Sequence, residues 1–356
     1  MFESLGFETY TAPQVAVVFA LIVGGLFGLL AERTKFCFRR SIVGEDRRAA
    51  LGVWLAALAA AVVGTQAAVA SGVISFADHR FMSPDLPWLA IVVGGLLFGV
   101  GMVLTRGCVS RLTVLTGTGN LRALTVLLIF AITAHATLKG VLAPLRTTLG
   151  QFTLPLGELV TLQGAPLLWT GLIAAGAALF ALRSGNRAST LGLAILLGLL
   201  VPLAWVGTGY ILYDDFNPIP MESLSFTSPS AETLFWAVAS TSISAGFGTG
   251  LVGGVLLGAL AASLLFGSFQ WQSFSTPRET GRYAAGAVLM GIGGVLAGGC
   301  TLGAGLAGIP TLSIAAVLAL LSIAAGGVIA DAALRATRPA RATGGWPTKQ
   351  TQQPAE

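Results

Sequence analysis

Nine stretches of this 356-residue chain are apolar over nearly the thickness of a bilayer, at about 13–31, 49–72, 88–106, 120–143, 165–183, 190–207, 247–267, 283–299 and 311–334. A helix needs roughly 20 such residues to cross hydrocarbon. Only 10% of the residues are charged, against about 25% in a soluble domain. Most of the surface must therefore face lipid. Between the runs lie apolar pieces too short to span, at 37–45, 108–117, 231–246 and 300–309. The expected fold is an all-α integral membrane protein, with about nine transmembrane helices plus short re-entrant half-helices. The segment Met1 to Pro13 is acidic and lacks the basic start of a cleaved signal peptide, so the first run reads as a span.

Charge predicts the orientation. Arg33, Lys35, Arg39, Arg40, Arg47 and Arg48 follow the first run, Arg183 and Arg187 the fifth, and Arg335, Arg338, Arg341 and Lys349 the ninth, while Arg278 and Arg282 precede the eighth. The loop 208–230 carries Asp214, Asp215 and Glu222 and no base. The positive-inside tendency puts the N-terminus outside and the C-terminus in the cytoplasm, which an odd number of spans requires. Lys139 and Arg146 fall on the wrong side, and 144–163 reads as interfacial. The formal charge of +5 belongs to this asymmetry and does not point to nucleic acid. The tail 336–356 has the composition of a disordered cytoplasmic segment.

The three cysteines share a frame. Gly99-Val-Gly-Met-Val-Leu-Thr-Arg-Gly-Cys108 and Gly291-Ile-Gly-Gly-Val-Leu-Ala-Gly-Gly-Cys300 place glycines nine and seven residues ahead of the cysteine. Gly28 to Cys37 is a fainter copy, and Gly198 to Gly207 keeps the spacing with glycine in the cysteine's place. The third run leads inward to Cys108 and the eighth outward to Cys300. The fainter pair, Gly28–Cys37 inward and Gly198–Gly207 outward, obeys the same rule. This makes an inverted-topology repeat within one transport domain, 13–335, its halves being about 13–143 and 165–335. Such repeats put a substrate site near the bilayer midplane, where interrupted helices meet.

A Gly-Cys pair opening a short helix offers free backbone N–H groups and the positive end of the helix dipole, which together favour anions. The glycines ahead of each cysteine are expected to clear side chains from the path. A thiol is a polarizable, weak donor, suited to a soft sulfur-bearing anion. The competing reading is a small buried packing residue. Three in one register weigh against it. The candidate binding residues are Cys37, Cys108, Cys300, Gly107, Gly299, Ser110 and Thr301. Arg106, Arg111 and Arg122 flank the second cysteine and are either functional intramembrane charges or cytoplasmic surface. His135 reads as a hydrogen-bonded packing residue and His79 as loop. Gly250-Leu-Val-Gly-Gly254 reads as a helix-packing pattern. Two histidines and three scattered cysteines make no zinc site. No phosphate-binding loop or dinucleotide fingerprint occurs, so no cofactor is expected. The odd cysteine count leaves at least one thiol free.

Glu32-Arg33-Thr-Lys-Phe-Cys37, Gly107-Cys108-Val-Ser110 with Gly119-Asn-Leu-Arg122, Ser223-Leu-Ser-Phe226 with Pro229, and Gly298-Gly-Cys300-Thr-Leu-Gly303 resemble the YeeE/YedE sulfur-transport family of bacterial inner-membrane proteins, over about residues 13–335. The resemblance implies a nine-span fold whose short helices form an hourglass, with Cys37, Cys108 and Cys300 along the substrate path. It also implies uptake of thiosulfate and a cytoplasmic sulfur-carrier partner of the TusA type. Arg111 departs from the pattern, standing where glycine is expected. The reading that results is inner-membrane uptake of a small sulfur anion, and no enzymatic reaction. The alternatives are a membrane sulfurtransferase that forms a cysteine persulfide, or transport of another sulfur or selenium compound.

Overall fold

The computed structural model describes residues 10–162, 164–214 and 216–337. The distal tail, expected to be disordered, lies outside the described residues from 338 onward. Every apolar run becomes a helix. In chain order the helices are α1 (Ala12–Thr34), α2 (Phe38–Val43), α3 (Arg47–Ala70), α4 (Trp88–Leu104), α5 (Val109–Gly117), α6 (Leu121–Lys139), α7 (Ala143–Gly150), α8 (Pro166–Leu182), α9 (Ala188–Val206), α10 (Thr227–Ala239), α11 (Phe247–Leu265), α12 (Pro277–Leu296) and α13 (Ile314–Ala336). Among the described residues eight helical stretches are at least 18 residues long and apolar enough to cross a membrane, and α8 is an apolar helix one residue shorter. The protein is an all-α integral membrane protein.

The polar residues at the helix starts fix where these begin. The Thr11 amide donates to Gln14 Oε1 (3.1 Å) at the head of α1. Asn120 Oδ1 accepts the Ala123 amide (3.1 Å) at α6, and Thr276 Oγ1 accepts the Glu279 amide (3.3 Å) at α12. Each satisfies an N–H that hydrocarbon could not.

Helices pack through glycine, because small residues let backbones approach where no hydrophobic effect drives association. On the α1–α11 crossing, a Cβ at Gly28 would stand 2.4 Å from the Val255 carbonyl oxygen, at Gly250 2.3 Å from that of Val17, and at Gly254 2.2 Å from that of Leu21. The Gly250–Gly254 pattern is thus a packing face. The glycines of the cysteine frame do the same. A Cβ at Gly99 would meet the Ile323 oxygen of α13 at 2.2 Å, and one at Gly293 the Gly94 oxygen of α4 at 2.5 Å. This corrects the expectation that they clear a path. They bring α4, α12 and α13 into close contact, since backbone already occupies the space a side chain would need. Helix α3 packs on α9, and α6 on α12.

Most of the basic residues gather at one end of the bundle, while Arg80, Lys139 and Arg146 lie at the other. At the basic end Arg47 pairs with Asp331 (3.8 Å), Arg335 with Asp331 (2.7 Å), Arg122 with Glu279 (3.3 Å), and Arg40 with Asp46. Loops 71–87, 207–226 and 307–313 meet at the other end: Gln66 Nε2 donates to the Pro310 carbonyl (2.7 Å) and Ser313 Oγ to that of Phe81 (2.8 Å). The stretch 144–163 holds α7 and a short strand, Leu154–Pro155, paired antiparallel with Asp85–Leu86. His135 stacks on Phe235 with ring centroids 4.6 Å apart. Its packing runs through a ring, and among the described residues it shows no hydrogen bond of the kind expected.

Candidate functional site

Each cysteine sits where one helix stops and a shorter one starts. Cys37 precedes α2, Cys108 precedes α5, and Cys300 precedes a single π-helical turn, Thr301–Leu306. The short element after Cys300 is thus a π turn and not an α-helix. Ala304 N–H still bonds the Cys300 carbonyl (2.8 Å), but the glycine-rich Thr301–Leu306 sequence then winds wider. The cysteine backbones are extended in all three cases. Two residues ahead of each stands a left-handed residue: Lys35 (φ 50°), Arg106 (φ 59°) and Gly298 (φ 72°). The same turn thus recurs three times. Only the third copy carries the glycine that a left-handed position favours.

All three thiols are free and buried. Cys37 and Cys300 both lie within electrostatic reach of Cys108. Ser110 Oγ lies 3.2 Å from Cys108 Sγ. The Thr301 hydroxyl approaches Cys108 as well, yet makes no hydrogen bond there: it is fully buried, and its Oγ1 has no partner among the described residues. Cys300 Sγ accepts the Gly303 amide at 3.5 Å, whereas neither Cys37 nor Cys108 caps its helix. Among the described residues, the first amides of α5 make no side-chain cap hydrogen bond. A Cβ at Gly299 would lie 3.0 Å from the Ala304 nitrogen, and one at Gly107 3.3 Å from Leu112 Cδ2. Both glycines hold the turn close to the element that follows. Gly207, which takes the cysteine's place in the fourth run, abuts Phe19: a Cβ there would meet the ring at 2.3 Å. No three His, Cys, Asp or Glu side chains among the described residues group as metal ligands. The thiols are near one another without forming a cage.

The stretch 223–230 was not among the candidate site residues, and it closes on Cys300. Ser225 Oγ lies 2.8 Å from where a Cβ of Gly303 would be, and Thr227 Oγ1 3.2 Å from one at Gly294. The hydroxyls of Thr227 and Ser230 are buried without partners among the described residues. Three polar residues in the Ser223-Leu-Ser-Phe-Thr run, outside any span, were the available signal. Of the flanking arginines, Arg106 is exposed, Arg122 Nη2 donates to Gln272 Oε1 (2.8 Å), and Arg111 pairs with Glu32 (3.4 Å).

At the far end, His79 sits among Phe76, Phe81 and Trp205, and its Nδ1 accepts the Phe81 amide (3.3 Å). Burial, then the neighbouring Arg80, lowers its pKa to about 4. Burial and the nearby Glu232 raise Glu222 to about 7, against the opposing pull of Arg80.

The model of a family described as sulphur transport matches residues 33–329. The chain belongs to that family. The matched range holds all three cysteines and their short helices. Among curated relatives, the thiosulfate transporter TsuA of Escherichia coli K12 is 27% identical over 321 residues, covering 82% of this chain and 86% of that protein. The thiosulfate transporter TsuA of Spirochaeta thermophila is 26% identical over 332 residues, covering 84% and 93%. The probable transporter YedE of E. coli K12 is 34% identical over 113 residues, 30% of this chain and 26% of that protein.

Proposed function

We propose that this family member takes up thiosulfate across the bacterial inner membrane, past Cys37, Cys108 and Cys300, without chemically changing it. The observation that carries the reading is the gathering of three buried, unpaired thiols at helix breaks. Non-helical backbone at membrane depth is tolerated where it is enclosed by protein or lines a cavity. Thiosulfate carries a soft terminal sulfur, which weak S–H donors can hold without trapping. Several weak sites permit exit as well as entry. The first amides of α5 and the hydroxyls of Ser110 and Thr301 would receive the oxygen-bearing end.

The inverted repeat, 13–143 against 165–335, accords with the packing. Under it α1 and α9 exchange, as do α11 and α3, so the α1–α11 contact becomes the α9–α3 contact. Likewise α4–α13 becomes α12–α6. Each of these four contacts is extensive. The basic end would face the cytoplasm, with the N-terminus periplasmic. A TusA-like sulfur carrier would receive the product there. Proteoliposome uptake of thiosulfate labelled with sulfur-35 in its outer atom tests the reading. Saturable uptake, competed by unlabelled thiosulfate and not by sulfate, is expected. Absence of uptake, or label appearing inside only as a protein-bound persulfide, would overturn it.

A further inference from the structure

Arg111 lies one turn into α5, the helix that Cys108 opens, and within electrostatic reach of Cys37. Its guanidinium pairs with Glu32 in the last turn of α1. The two side chains are only 10% and 14% exposed. Charges so enclosed are expensive in a membrane protein and point to a functional role. This pair is loosely made. One nitrogen, Nη1, reaches one carboxylate oxygen, Oε2, at 3.4 Å, and the other oxygen takes a 3.4 Å bond from Ser268 Oγ. Arginine carries five N–H donors in a fork that fits two oxygens at once. Among the described residues, one of those donors is bonded.

We propose that Arg111 is an anion-binding residue at the basic end of the cysteine site, and that Glu32 is its displaceable partner. The inference rests on the sulfur-oxyanion reading above. A doubly charged oxyanion leaving Cys37 and Cys108 offers several oxygens on one atom, so it accepts two parallel N–H bonds where Glu32 accepts one. A guanidinium left unpaired would hold the anion and slow its exit. A carboxylate left unpaired would repel it. The pair avoids both, because Glu32 reclaims Arg111 as the anion departs. A plain structural bolt between α1 and α5 would look the same at rest. It would not respond in the same way to losing each half.

Full-length protein in lipid nanodiscs, titrated separately with thiosulfate, sulfite and sulfate and followed by thermal stabilisation, separates the two. Arg111→Gln, which removes the charge and the two-pronged fork, should weaken binding of the preferred anion by at least about tenfold. Glu32→Gln should tighten it severalfold and, in proteoliposomes, lower KM and maximal rate together. Arg111→Lys, which keeps the charge and loses the fork, should fall between. Weaker binding in both Glu32→Gln and Arg111→Gln is the response of a bolt and overturns the proposal. If Arg111→Gln does not fold, Glu32→Gln decides alone: binding no tighter than the parent's overturns it. A parent protein that prefers sulfite or sulfate defeats the thiosulfate reading while the opposite shifts still test the pair. A parent that binds none of the three overturns both.

Discussion

At the residue scale the thiols and the turns before them make separate demands. Replacing Cys108 or Cys300 by alanine leaves the helix starts and removes the soft donor. A lost hydrogen bond of about 0.5–1.5 kcal/mol slows transport by up to about tenfold. Both thiols are almost fully enclosed, so no water replaces them. Uptake should fall by more than about tenfold for each, and less for Cys37→Ala, with expression levels matched. Serine should not restore it, its hydroxyl being a harder partner for sulfur. Near-normal uptake by the Cys108→Ala, Cys300→Ala double variant would return both cysteines to packing. Arg106 makes the opposite case. Its left-handed backbone (φ 59°) costs an L-residue about 1 kcal/mol relative to glycine. Arg106→Gly should raise the thermal unfolding temperature in detergent, and a lowered one would mean that its side chain holds the turn.

At the element scale, close helix crossings depend on which face each glycine occupies. Gly253 and Gly254 are neighbours in α11. A Cβ at Gly254 would meet the Leu21 carbonyl oxygen at 2.2 Å, whereas one at Gly253 meets nothing within 4 Å. Overpacking a tight contact costs about 1–3 kcal/mol, and here backbone cannot rotate aside. Gly254→Leu should sharply reduce the yield of monodisperse protein in size-exclusion chromatography, while Gly253→Leu should leave it unchanged. Equal yields would mean that the α1–α11 crossing is looser than its backbone spacing implies.

At the scale of the whole molecule, charge is sorted between the two ends. Reporter fusions after Arg335 and within 208–230 should report opposite sides of the membrane, the first cytoplasmic. The same side for both would exclude the inverted repeat. The far end also carries a pH response. Glu222, pressed by burial and by Glu232 and countered by Arg80, holds its proton up to about pH 7 when folded, against about 4.3 when unfolded. Between those values the folded state binds more protons than the unfolded one, so stability falls as pH rises through that window. Thermal unfolding of parent and Glu222→Gln compared from about pH 4.5 to 8 should show the parent losing stability relative to the variant as pH rises. An unchanged slope would mean that Glu222 does not titrate there. His79 works the other way. Burial keeps it neutral when folded down to about pH 4, whereas unfolded it is protonated below about pH 6.5. It therefore adds stability as pH rises through that range and offsets part of the decline, which is why the comparison with Glu222→Gln is needed.

The spans were legible in the sequence because hydrocarbon leaves the backbone few choices, and a run such as 88–106 or 311–334 can satisfy its amides only as a helix. The cysteine frame was legible too, since glycine spacing survives as pattern. The meaning of those glycines was not: nothing in the sequence tells a glycine that opens space from one that lets backbone in, and the neighbours of Gly99 and Gly293, Ile323 and Gly94, lie far away in the chain. Nothing local marks Ser225 and Thr227 as neighbours of Gly303 and Gly294, or Glu32 as the partner of Arg111, 79 residues on. Composition and periodicity fix what a segment does in its solvent. Which side chains meet at the breaks depends on how helices cross, and that is set by backbone contacts between segments distant in the sequence.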